Sequence, residues 1–260
     1  MIASDKPKSL HNTMIKQGHF LFRWRGQIPL FFLLPAMFAV YGNFHFERLV
    51  NNDWEHIWGI FAFLISLCGV LIRIVTIGYV SKNTSGRNTT EQRADSLNTS
   101  GMYSICRNPL YLGNFIIILG VLLWAKVWFL GIIIALAFFI YMERIIIAEE
   151  EYLHNKFQNT YDEWREKTPV FMPNFSLWRS PDLPFSWKLV LRREYPGLLG
   201  VSTAFIAMDF IFDIFADREA INEWFICDYP AIITYCLIVT LCLTLRFLKR
   251  KTDLLKIEGR

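Results

Sequence analysis

Apolar residues along this chain gather into long runs separated by polar stretches, without the one-faced or alternating patterns of a soluble domain. The runs cover residues 28–44, 57–80, 110–124, 127–147, 198–215 and 229–245. Most approach the ~20 residues a helix needs to cross a bilayer. Backbone groups facing lipid must be bonded within their own segment, so helices are the expected structure. The pattern predicts an all-α, polytopic integral membrane protein with about six transmembrane helices. The third and fourth runs are joined only by Ala125 and Lys126, which predicts a tight helical hairpin. Three divisions follow: 1–80, an N-terminal arm and the first two spans; 81–175, a loop, the hairpin and a charged helix over 148–167; and 176–260, an interfacial segment and two C-terminal spans.

Composition agrees with this reading, since 53% of the residues are hydrophobic and the mean hydropathy is +0.30. The basic residues orient the spans. Of 27 Lys and Arg, Arg48, Lys126 and Arg218 fall on one side, Arg73 lies within a span, and all the rest fall on the other side. Such an excess marks the cytosolic face, so both termini are expected in the cytosol. Basic residues there attract anionic lipid, and the expected partners are the membrane and an inner-leaflet lipid. No basic stripe stands on a soluble domain, which argues against nucleic acid. The five cysteines lack paired ligand spacing and three lie in spans, so neither a disulfide nor a metal site is expected. The first run follows a polar arm and shows no small-residue cleavage pattern, so it is expected to be a retained helix.

Two polar clusters bracket the hairpin. The first is the loop 101–114, where Pro109 holds Asn108 extended and Gly101 and Gly113 allow close backbone approach. The second is Glu149-Glu150, which can accept from hydroxyls or an ammonium, while Arg107 or Arg144 can hold an anion. Glu149, Glu150 and Arg144 fit an ordinary surface ion-pair cluster equally well. Arg23 and Arg25 alternate with Phe22 and Trp24 before the first run, a pattern that anchors a helix at headgroup depth and can also grip an anionic headgroup. Arg73 lies near the inner end of the second run, where a charge faces protein, water or a headgroup. Gly86-Arg87-Asn88 has the composition of an anion-holding turn, and Asp209 and Asp213 read as a solvated outer rim.

Gly101, Tyr103, Arg107, Pro109, Tyr111 and Gly113, then Glu149, Glu150, Leu153, Phe157 and Tyr161, then Pro169 and Pro173, occur in an ordered pattern. On these residues the segment 101–173 resembles the catalytic core of the isoprenylcysteine carboxyl methyltransferase and phospholipid methyltransferase superfamily. That pattern has His where this chain has Asn108, Gly where it has Gln158, and Tyr where it has Trp164. The resemblance implies a cytosol-facing pocket for S-adenosyl-L-methionine, with Arg107 and Glu150 as catalytic residues. It implies that Tyr103, Asn108, Pro109, Tyr111, Leu112, Gly113, Glu149 and Glu150 hold the cofactor while Tyr161 and Pro169 close over it. Arg23, Arg25, Arg73, Arg144 and Arg192 are then the expected contacts to an anionic lipid headgroup. Flanking features such as Phe22-Arg23-Trp24-Arg25 and Arg192-Arg193-Glu194-Tyr195 resemble bacterial members that methylate the 1-phosphate of lipid A, implying a bacterial inner membrane. An isoprenylcysteine carboxylate is the alternative acceptor. A non-catalytic lipid-binding membrane protein is the alternative class, and Asn108 is the residue that favours it.

Overall fold

The computed structural model describes residues 9–31, 52–81, 84, 92, 94–125, 128–211, 213–214 and 221–257. The first predicted span beyond residue 31 and the Gly86-Arg87-Asn88 turn lie outside the described residues. Ten α-helices and one 3-10 turn (Phe175–Leu177) are described: α1 (Leu10–Arg23), α2 (Ile28–Phe31), α3 (Asn52–Tyr79), α4 (Met102–Ile105), α5 (Pro109–Trp124), α6 (Trp128–Phe157), α7 (Asn159–Lys167), α8 (Trp187–Ile211), α9 (Ile221–Cys227) and α10 (Tyr229–Lys251). No strand occurs among the described residues. The all-helical expectation holds. Among the described residues, three segments are long and apolar enough to cross a membrane, Ile57–Tyr79, Gly131–Phe157 and Tyr229–Lys251, and Pro109–Trp124 is a shorter apolar helix.

Two boundaries differ from the sequence reading. The charged helix expected over 148–167 is two pieces, because α6 continues unbroken from the apolar hairpin to Phe157 and the chain then turns at Gln158, with φ 46°. The interfacial segment and the fifth span are likewise not separate, since α8 runs from Trp187 to Ile211 through Pro196. A proline inside a helix removes one backbone hydrogen bond and crowds the preceding turn. Here the helix persists on both sides of it.

The tightest seam joins α3 to α5 through small residues. A Cβ on Gly69 would lie 2.6 Å from the Gly113 carbonyl and 2.8 Å from the Ile117 amide nitrogen. A Cβ on Gly120 would lie 2.6 Å from the Ala62 carbonyl, and the Ser66 hydroxyl donates to the Ile117 carbonyl at 2.9 Å. Lipid is as apolar as a side chain, so membrane helices gain adhesion by such close backbone approach. Arg73 clasps α8 and α5 onto this pair: it donates to both Glu194 carboxylate oxygens at 2.8 Å and to the Asn114 side-chain oxygen at 2.6 Å.

The N-terminal arm forms α1, which packs along α6. Gly18 sits against the Arg144 carbonyl and Ala148, while Phe22 is buried with Phe138, Tyr141, Met142, Ile145 and Ile146. On the other side Ile77 and Val80 pack with Leu189 and Val190 of α8. Outward-facing Leu237, Leu243 and Phe247 leave α10 apolar toward its surroundings, as a lipid-facing helix requires.

Candidate active site

The loop before α5 is set by local chemistry. Gly101 has φ +58°, a left-handed conformation that glycine adopts without penalty, and its amide donates to the Arg179 carbonyl at 2.9 Å. The short α4 follows, with the Ser104 hydroxyl donating to the Gly101 carbonyl at 2.7 Å. Pro109 starts α5, where its missing N–H costs nothing, and Asn108 precedes it as the capping position. The Asn108 side chain does not cap the helix. Its amide donates instead to the Val170 carbonyl at 3.1 Å and, more loosely, to Glu150 Oε1 at 3.5 Å.

The segment after α7 closes onto this loop. Arg107 donates its backbone N–H to the Pro169 carbonyl at 2.8 Å, Asn174 donates to the Ile105 carbonyl at 2.9 Å, and the Trp164 indole donates to the Tyr103 carbonyl at 3.1 Å. The Cys106 thiol is buried and donates to the Phe171 carbonyl at 3.2 Å. Burial pushes it up to about 11, so this sulfur is a structural donor at neutral pH.

Two adjacent carboxylates on α6 each meet their own arginine. Glu150 Oε2 accepts from Arg107 Nη1 at 3.1 Å, and Glu149 Oε1 accepts from Arg25 Nη1 at 3.2 Å. Arg107 Nε, the Tyr111 hydroxyl and the Tyr161 hydroxyl are enclosed around these pairs, Tyr111 beside Arg25 and Glu149 and Tyr161 beside Arg107. Burial, with the nearby Glu150 charge adding to it, holds the Tyr161 hydroxyl firmly in its protonated form. Buried polar groups in native proteins nearly always find partners. Here the two phenols lie against the two ion pairs and complete one enclosed polar junction.

Arg107, Asn108, Glu150, Tyr161 and Pro169 meet at one junction, with Glu149 and Tyr111 beside them. Pro109 and Leu112 are buried at the start of α5. Gly113 faces elsewhere: a Cβ there would lie 2.6 Å from Arg73 Cγ on α3. Tyr103 packs toward Ile77, Val80, Leu189 and Val190. Arg73 is engaged by Glu194 and Asn114, Arg144 pairs with Glu143 at 3.1 Å, Arg23 is exposed in the last turn of α1, and Arg192 is half-buried on α8. Sequence reasoning missed Glu194 as the partner of Arg73. A carboxylate next to a span, in a chain with an intramembrane arginine, was the available signal. It also missed the Val170 and Phe171 carbonyls, which as backbone groups leave no trace in residue identity. At the far end of α8 from Glu194, carboxylate oxygens of Asp209, Asp213 and Asp228 come within 4.8 Å of one another.

Residues 54–160 match the family model of the phospholipid methyltransferases. Among curated relatives, the chain is 34% identical over 132 residues to the nickel-cobalt-cadmium resistance protein NccN of Alcaligenes xylosoxydans xylosoxydans, a match covering 50% of this chain and 59% of that protein. It is 30% identical over 131 residues to the cobalt-zinc-cadmium resistance protein CzcN of Cupriavidus metallidurans, covering 50% of this chain and 57% of that protein. The chain thus spans less than two thirds of the length of either relative. No solved structure matches it.

Proposed function

We propose that the protein is an S-adenosyl-L-methionine-dependent methyltransferase acting on an anionic lipid headgroup at the cytosolic face of the membrane. The observation that carries this reading is the junction of Arg107, Asn108 and Glu150 with the enclosed Tyr161 hydroxyl, beside which lie Glu149, Arg25 and the enclosed Tyr111 hydroxyl. These groups fit the donor's chemistry. Its amino-acid end carries a carboxylate, which needs donors such as Arg107 Nε and the two phenols. Its ammonium and ribose hydroxyls need acceptors, which Glu149 and Glu150 provide. When bound, the cofactor supplies an electrophilic methyl group on a sulfonium.

The protein's part is to bind, align and keep water out. Glu150 is held by Arg107 and Asn108 rather than swinging in solvent, and the carbonyls of Pro169 and Val170 tie the loop over it. Such preorganised alignment supplies much of the rate in a displacement between two bound reactants. An anionic acceptor needs no general base. It needs a cation to aim it, and Arg107, Arg144 and Arg192 are the candidates. The surplus of basic residues at the inner headgroup layer suits a phosphate, with the 1-phosphate of lipid A as first choice and an isoprenylcysteine carboxylate as second.

The experiment is to incubate membranes containing the protein with methyl-labelled S-adenosylmethionine and extract the lipids. Label in an anionic lipid that Glu150→Gln abolishes is the expected result. Label in protein, or in no product while the purified chain fails to bind S-adenosylhomocysteine, would overturn the reading.

A further inference from the structure

We propose that Arg25, which lies outside the family-matched segment, is a positioning residue for the cofactor pocket: it fixes Glu149 in place, and α1 is the wall that delivers it. This rests on the methyltransferase reading and gives Arg25 a role other than a lipid contact.

Glu149 and Glu150 are neighbours in sequence, and on a helix neighbouring side chains diverge by about 100°. One arginine cannot satisfy both. Arg107 reaches Glu150 from the α5 side, and Arg25 reaches Glu149 from the α1 side at 3.2 Å. Arg25 is itself held: its guanidinium lies 4.1 Å from the centre of the Phe22 ring, and Phe22 is buried among Tyr141, Met142, Ile145 and Ile146. Tyr111, whose enclosed hydroxyl lies beside both Arg25 and Glu149, packs against the same cluster. The helix that carries this arrangement is seated tightly, because Gly18 leaves no room for a side chain against the Arg144 carbonyl and Ala148. A headgroup-gripping arginine would instead keep its donors turned to the lipid. Arg25 spends one on the carboxylate that the cofactor needs.

The test uses the full-length protein in lipid nanodiscs and measures S-adenosylhomocysteine affinity separately from the acceptor KM. Arg25→Ala should weaken S-adenosylhomocysteine binding by about 10- to 100-fold, the scale of losing one charge-assisted hydrogen bond. Arg25→Lys should recover part of it, and Gly18→Leu, which lifts α1, should mimic the loss. His11→Ala, at the distant 3.8 Å contact with Glu151, should leave it unchanged. Unaltered nucleoside affinity in Arg25→Ala with a raised acceptor KM would make Arg25 a headgroup contact and sink the proposal. If the parent protein itself does not bind S-adenosylhomocysteine, the methyltransferase reading fails first. The Arg25–Glu149 coupling is then read from thermal unfolding of Arg25→Ala, Glu149→Gln and the double variant, where additive effects refute it.

Discussion

Gln158 stands where the family pattern has glycine, and the structure gives that difference a cost. Its backbone sits at φ 46° and ψ −122°, between the end of α6 and the start of α7. A residue with a Cβ in so sparsely populated a region carries about 1–3 kcal/mol of strain. The turn is nevertheless held by Tyr161 N–H donating to the Gln158 carbonyl at 2.9 Å and by the His154–Asp162 pair at 2.9 Å across it. It is also what aims Tyr161 and Trp164 inward, where both are buried. The Gln158 side chain is exposed, so deleting it removes little packing. Gln158→Gly should release the strain and give back about 0.5–1 kcal/mol through the flexibility of glycine in the unfolded chain. The net gain is about 0.5–2 kcal/mol. For a chain of this size that corresponds to a rise of roughly 1–8 °C in Tm. Gln158→Ala keeps a Cβ in the same conformation and should melt with the parent. Tryptophan-fluorescence melting in detergent micelles measures both. If the glycine variant is no more stable than the alanine variant, the turn carries no strain and the argument fails.

Two further outcomes follow from contacts elsewhere. Gly69→Ala forces a Cβ into the Gly113 carbonyl and should destabilise by about 1–3 kcal/mol, whereas Gly59→Ala on the same helix meets nothing nearer than the Trp124 indole nitrogen at 3.6 Å and should be neutral; paired melting curves in micelles compare them. Cys106 is raised from 9.0 to about 11 by burial, so above pH 9 the unfolded chain loses this proton before the folded one does. Its contribution is fully present below pH 9 and falls away as pH rises toward 11, by roughly 2–3 kcal/mol, and a pH series of melting curves for the parent should steepen there relative to Cys106→Ala.

The helices that cross the membrane were legible because a continuous apolar run states its own length. The third and fourth runs were placed correctly by so short a join as Ala125-Lys126. What escaped was continuity through polar sequence: α6 carries its helix past the apolar run to Phe157, and α8 begins eleven residues before its run does. Polarity tells where lipid ends. It does not tell where backbone hydrogen bonding ends. The Arg107–Glu150 half of the site could be anticipated from motif residues, since both lie in one ordered pattern. The Arg25–Glu149 half could not, because pairing residues 124 positions apart requires knowing which face of α6 the arm covers.

That division has a consequence for what a working unit of this protein must include. The family-matched segment, residues 54–160, contains Glu149 and Arg73, but their ionic partners Arg25 and Glu194 lie outside it, one on each side in sequence. Both pairs are largely withdrawn from water, and a buried charge stripped of its partner costs about 3–5 kcal/mol. A fragment limited to the matched segment would leave one such carboxylate beside the Arg107–Glu150 junction and one such guanidinium between α3 and α5. The N-terminal arm and α8 are therefore parts of the site's framework. The chemistry that distinguishes this chain from others sharing the core is to be sought in these two flanks, where the motif says nothing.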